Sequence, residues 1–243
     1  MATDHTAARP TQDGSDLDLN VLRLNTDWHV LEHAYGPATD IPAILSHLLE
    51  GDSEAKASAL GALVGSVHHQ NTIYSSTTPV ALYIAAILPD ERSAGPCGRA
   101  GAVRPMRAAL LDWLGEMAFD VDDDAIAAKG RRFSLSASIE EDQLREARNR
   151  LSQAAAAFIH DEDQDVRRSA AIATALLLDG SVPEHQRTEL IPILLDTLTT
   201  DLDRIHRNHA RDILRSFGIR DVGELEVADR QEFWSDQPPT MRP

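Results

Sequence analysis

The chain has 243 residues, 42% hydrophobic and 5% aromatic, and its 39 acidic side chains outnumber 23 lysines and arginines, for a formal net charge of −16. That length and apolar content are enough for one sizeable core, and the scarcity of aromatics beside abundant alanine suits packed helices better than a sheet. The charge opposes non-specific binding to a phosphate backbone. It favours a basic partner, although solubility alone would also explain it.

Residues 1–16 are polar, lack an apolar period and predict a disordered leader. Residues 17–36 hold a short apolar run followed by Trp28, Leu31 and Tyr35, a pattern that predicts a helix covering the next element. From there a pattern of about 27 residues recurs three times, starting at Ile41, Leu151 and Ile191. In the first copy Ile41, Ile44, Leu45, Leu48 and Leu49 precede an acidic turn, and Leu60, Leu63, Val64 and Val67 follow it. Spacings of three and four place each set on one helical stripe. Pro42 and Pro192 occupy the same repeat position, where a first-turn proline sacrifices no helical hydrogen bond. Asp40 precedes the first copy as an N-cap, and Gly51-Asp52-Ser53, Asp161-Glu162-Asp163 and Asp201-Leu202-Asp203 form the turns, each starting a new helix.

Between the first and second copies, Thr78–Leu88, with Pro79 in its first turn, and Met106–Phe119 predict two more helices. They are separated by a loop from Pro89 to Gly98 and followed by the acidic segment Asp120–Asp124. After Gly218 a tail carries Phe233-Trp234, expected to cap the last repeat, and residues 236–243 are expected to fray. The expected domain is 17–235.

The segment Asp161-Glu162-Asp163-Gln164-Asp165-Val166-Arg167-Arg168-Ser169-Ala170-Ala171 resembles the turn and second helix of HEAT repeats, in which the Val packs inward and Arg and Asp of neighbouring repeats ladder together. Trp28, Leu31, His33-Ala34-Tyr35-Gly36, Asp40-Ile41-Pro42, His69-Gln70 and Tyr74 are similar to a group of bacterial HEAT-like proteins. The resemblance implies an all-α fold, a HEAT-like alpha-solenoid of antiparallel helix pairs. Ala55-Lys56 and Ile205-His206 depart from the Val-Arg signature in the other copies.

Several constellations are candidate sites. Arg204, Arg207, Arg211 and Arg215 fall at three- and four-residue spacings, a basic ridge able to grip an anionic group, with Leu202, Ile205, Ile213, Leu214 and Phe217 facing inward. The acids Asp196, Asp201, Asp203 and Asp212 would instead neutralise it internally. His68, His69, Gln70 and Tyr74 suggest a polar pocket. Asp122, Asp123 and Asp124 offer an electrostatic contact to a basic partner. His29 with His33, and His206 with His209, have zinc-pair spacing but no third ligand. Asp161, Asp163 and Asp165 start a calcium-loop spacing, but Val166 stands where that loop needs glycine and Ile172 where it needs glutamate.

Cys97, the one cysteine, reads as a surface thiol in a flexible loop. No nucleotide-loop or nucleophile-elbow pattern occurs, so neither catalysis nor a cofactor is expected. Without an apolar span or signal segment the chain is expected to be cytoplasmic, with no membrane or direct nucleic-acid partner. These readings converge on a protein-binding solenoid, in its sharpest form an inhibitor or immunity protein neutralising a basic enzyme such as a toxin. A regulatory or assembly adaptor is the second reading, and a metal- or small-ligand-binding enzyme with a His/Tyr pocket the third.

Overall fold

The computed structural model describes residues 25–99, 102–133 and 136–223. It is mainly helical. The helices are α1 (Ile41–Glu50), α2 (Ser53–Val67), α3 (Thr77–Ile87), α4 (Met106–Phe119), α5 (Asp123–Phe133), α6 (Ile139–Ala156), α7 (Gln164–Leu178), α8 (Glu184–Thr200) and α9 (Arg204–Ser216). Two small antiparallel hairpins accompany them, β1 (Glu32–His33) with β2 (Gly36–Pro37), and β3 (Pro96–Arg99) with β4 (Ala102–Pro105). Among the described residues no helix is long and apolar enough to cross a membrane.

The punctuation works locally as the residue types require. Asp52 Oδ1 accepts from the Ala55 N–H at 2.9 Å, and Asp163 and Asp203 cap α7 and α9 in the same way. Ser138 and Glu141 close a capping box at the start of α6, satisfying two otherwise orphaned donors. The α1–α2 turn is tight enough that a Cβ on Gly51 would lie 2.8 Å from the Ala55 Cβ. In the β3–β4 hairpin Gly98 has φ 147°, and a Cβ there would sit 2.1 Å from the Ala102 carbonyl oxygen, so only glycine fits.

Consecutive helices pack in pairs, α1 on α2, α6 on α7 and α8 on α9, while α4 packs on α7 and α3 on α6 across the insertion. α4 and α7 are buried around most of their circumference, as central helices must be, and Gly115 packs directly against Ala173. A Cβ added at Gly115 would come within 3.3 Å of the Ala173 Cα. Around this axis Leu110, Leu111, Leu114, Met117, Leu151, Ala170 and Leu177 form a continuous apolar core with Leu45, Leu63 and Leu214.

Several expectations need correction. The part of residues 17–36 that is described is a turn and hairpin, not a helix: the Ala34 N–H is taken by the Ser66 carbonyl, Gly36 has φ 120° and Pro37 follows it. Trp28 is buried and Tyr35 exposed. Asp40 sits at the N-cap of α1, but its carboxylate accepts from His33 Nε2 at 2.9 Å instead of capping the helix. The Tyr35 N–H donates to His33 Nδ1, which fixes that tautomer. Pro192 lies well inside α8, which starts at Glu184, and Leu151 lies in the second half of α6. The repeat pattern therefore reproduces an apolar stripe, not a common helix start. Pro89–Gly98 ends in strand β3, where Cys97 is buried and not a surface thiol. Asp123 and Asp124 form the first turn of α5. The expected leader at 1–16, Phe233-Trp234 and the 236–243 tail lie outside the described residues.

Candidate functional site

A seam of buried charge joins the helix pairs. At one end Lys56 Nζ donates to the Arg92 carbonyl at 2.9 Å, and Arg107 Nε donates to the Leu88 carbonyl at 2.8 Å. Arg107 also faces Asp161 at 3.3 Å and covers the Phe158 ring, which ties the α6–α7 turn to the end of α3. Further along, Arg168 on α7 donates to Asp196 Oδ2 at 3.0 Å and to Thr200, while Gln164 Nε2 reaches the same carboxylate. Val166 is buried beside it as the HEAT resemblance implied, but the cross-helix ion pair is made by Arg168; Arg167 donates to the carbonyls of Asp161 and Glu162.

The seam culminates in His206. Its Nδ1 lies 2.9 Å from Asp201 Oδ2 and its Nε2 lies 2.9 Å from Asp112 Oδ1, so both ring nitrogens donate to carboxylates. Burial alone would lower the imidazole, but the two carboxylates outweigh it and raise its pKa to about 10. Burial alone would raise Asp112, but the His206 hydrogen bond and charge and the Arg104 guanidinium hold it below the usual range. Asp201 is held low likewise by His206 and Arg168 against its own burial. Arg104 binds Asp112 and donates to Ser169 Oγ at 3.1 Å, so α4, α7, α9 and the α8–α9 turn share one network. An imidazolium with both nitrogens engaged has no lone pair for a base, a nucleophile or a metal. His206 is a charged clip.

Beside the clip a cavity of about 40 Å³ is lined by Asp112, Glu116, Ile172, Leu176, Asp203, Ile205, His206 and His209. It holds on the order of one water. Desolvation, then the Asp112 carboxylate, push Glu116 above the usual range although its side chain still reaches solvent. Burial and then the His206 charge lower His209, whose ring meets the Phe119 edge at 5.2 Å. Among the described residues no group of three or more His, Cys, Asp or Glu is arranged to hold a metal.

The structure disperses much of what sequence spacing grouped. His68 is buried, with Nε2 2.9 Å from Asp120 Oδ2 and its ring against Trp113, whereas the His69 ring meets Tyr35 in a tilted contact at 5.6 Å. Gln70 is an exposed left-handed turn residue, and Tyr74 uses its N–H on Thr77 Oγ1. The helix-pair spacing of His29 and His33 has no helix beneath it.

The basic ridge is not uniformly exposed. Arg211 is buried and donates to Asn208 Oδ1, Arg204 and Arg207 are half-buried, Arg207 donates to the Asp201 carbonyl, and Arg215, the exposed member, lies beside Asp212 and donates to the Gly223 carbonyl. Leu202 and Ile205 point outward, at 96% and 39% exposure, because His206, Ala210, Ile213 and Leu214 take the inward stripe. Asp122 accepts from the Ala125 N–H, and Asp123 pairs with Arg145 while remaining exposed, as Asp124 is.

Sequence reasoning passed over Asp112, Arg104, Arg107 and Arg168 as network members. Arg104 and Arg107, flanking the start of an apolar helix, were the available signal. Comparison with protein-family models, with curated proteins and with solved structures finds no match.

Proposed function

We propose that the chain is a non-catalytic scaffold of stacked HEAT-like helix pairs that binds a basic protein through its acidic outer surface. The carrying observation is where the positive charge goes. Arg92, Arg104, Arg107, Lys129, Arg145, Arg148 and Arg168 are committed to carboxylates of the same chain. The chain has 39 acids against 23 cations, and many of the carboxylates among the described residues are exposed. Exposed Asp124, Asp142 and Glu146 bracket Arg145 on α5 and α6, and Glu162, Asp163 and Asp165 crown the α6–α7 turn. Such a field speeds encounter with a basic surface and rejects acidic ones. In its sharpest form the partner is a basic enzyme that the scaffold inhibits, as an immunity protein does to its toxin.

Exposed Leu195, Leu202 and Ile205 at the α8–α9 turn favour a second reading, an assembly adaptor with a mainly apolar contact. Capture of partners from native lysate at low and high salt, followed by reconstitution with the purified partner, separates the two. A basic protein that elutes with salt and whose enzymatic activity the scaffold suppresses supports inhibition. A salt-resistant complex with no inhibited activity supports the adaptor. A partner that is acidic overall would overturn the electrostatic reading.

A further inference from the structure

Helices α4 and α9 both pack on α7 and leave a groove between them, floored by Ile172 and Leu176. Side chains bridge the groove at two points, Asp112 to His206 at 2.9 Å and Phe119 to His209 at 5.2 Å. Between those bridges the α4 wall carries Glu116, one helical turn beyond Asp112, and the α9 wall carries Ile205; both reach solvent and both line the cavity beside the clip. That lining holds the carboxylates of Asp112, Glu116 and Asp203 and no lysine or arginine. The His206 imidazolium is already matched by Asp112 and Asp201. Glu116 has no hydrogen bond and no ion pair among the described residues. Burial and then Asp112 raise its carboxyl, Asp120 and Asp203 add to this, and the His68 ring that offsets them is held by Asp120. On α9, Ile205, His209 and Asp212 share the groove side by helical spacing, whereas Arg204, Arg211 and Arg215 fall on another. Apolar surface continues out of the cavity, because Phe119, Ile205 and Leu202, three residues before it, are all exposed.

An uncompensated carboxylate in an apolar groove selects a cation that carries its own hydrocarbon. We infer that the groove docks a lysine of the basic partner, flanked by apolar residues: the ammonium meets Glu116 at the cavity, the methylene stem lies along Ile205 and Leu176, and the flanking side chains cover Phe119 and Leu202. This rests on the acidic-surface reading above and gives it a contact point. The cavity of about 40 Å³ takes a head group on the order of one water in size. An ammonium has that size and a planar guanidinium exceeds it. An ammonium is a donor at every position, which suits a lining whose free polar groups are carboxylates, and a lysine stem lies readily on apolar surface while its head stays at the polar edge. The acidic surroundings of Ile205 make this apolar patch a place for a basic segment and a poor one for an acidic segment.

The test is a nuclear magnetic resonance titration of the full chain with the tripeptide acetyl-Leu-Lys-Leu-amide, compared with the same peptide carrying glutamate or norleucine at its centre. Saturable shifts centred on Glu116, Ile205 and His209 are expected from the lysine peptide, weaker binding from the norleucine peptide and none from the glutamate peptide. Glu116→Gln removes the charge at an exposed position and should weaken the lysine peptide by about tenfold, one hydrogen bond between charged groups, while leaving the norleucine peptide unchanged. Ile205→Gln removes the apolar wall and should weaken both, with amide dispersion and melting temperature confirming the fold of each variant. No saturable shifts, shifts centred elsewhere, equal binding of the glutamate peptide, or lysine-peptide affinity untouched by Glu116→Gln would overturn the proposal. A purified basic partner whose salt-sensitive binding is untouched by both variants would overturn the groove alone and leave the acidic-surface reading standing. A partner that is acidic overall would overturn both.

Discussion

Raising the pH should loosen this protein well before its lysines or tyrosines titrate, because the His206 clip holds a proton that the unfolded chain releases. In the folded state the imidazole has a pKa of about 10 against 6.5 for an ordinary histidine. Its contribution is therefore complete below pH 6.5 and is lost as pH rises towards 10. Over that window the native state binds more protons than the unfolded state, so unfolding free energy must fall with pH, by about 1.4 kcal/mol per unit. Between pH 7 and 8.5 that is a loss of roughly 2 kcal/mol, and over the whole window on the order of 5 kcal/mol. Burial raises the Cys97 thiol, and this adds a loss of the same sign only as its ordinary value of 9.0 is approached. His209, lowered by burial, acts on the acidic side of 6.5. The interval from about pH 7 to 8.5 is thus left to His206. Urea unfolding at half-unit steps across it measures the slope, and His206→Gln should flatten it. Should that variant fail to fold, the ring resonances of His206 in the wild-type protein give the titration directly. A flat wild-type profile, or a ring that deprotonates near 6.5, would show that the two carboxylates do not hold the proton.

Other expectations concern the frame. Gly115→Val forces two γ-carbons into the α4–α7 crossing against Ala173 and should cost about 1–3 kcal/mol in urea unfolding. Asp52→Ala removes the N-cap of α2 and should cost about 1 kcal/mol, with a lowered melting temperature and unchanged helix content below it. Arg168→Met breaks the pairs to Asp196 and Asp201 and leaves the latter beside His206 without its second cation, so a loss of about 3 kcal/mol is expected by the same assay. Thr174→Val should leave stability equal or higher, since it deletes a buried hydroxyl that makes no hydrogen bond.

The helices that could be read from sequence are those whose ends carry their own chemistry. Pro42, Asp52 and Pro79 act within one turn of themselves, and the span Met106–Phe119 matches α4 because its flanks are proline and an acidic segment. The described part of the 17–36 helix expectation fails because Trp28, Leu31 and Tyr35 have helical spacing, yet Gly36, Pro37 and the Ser66 carbonyl remove the backbone bonds a helix there would need. On α9 apolarity placed Ile213 and Leu214 inward correctly but misplaced Leu202 and Ile205. His206 and Arg211 go inward and Leu202 and Ile205 outward, an inversion that becomes favourable only when Asp112 and Asp201 arrive from other elements. Residues 112 and 206 are far apart in the chain, and no local pattern announces such a pair. The acidic turns were legible as helix caps, but not that α7 and α4 would gather their charges into one seam.

The proposed electrostatic encounter is tested most directly by stopped-flow association of the purified protein with its purified partner, at about 0.01 M and 1 M ionic strength, where the screening length falls from about 30 Å to 3 Å. Charge reversal at exposed Asp124, Asp142 and Glu146 leaves the Asp122 cap and the Asp123–Arg145 pair intact. Steering predicts an association rate constant that drops at least tenfold with salt in the wild type and drops much less in the reversed variant, with dissociation nearly constant. Association that is insensitive to salt and to those reversals would contradict an acidic surface that recruits a basic partner.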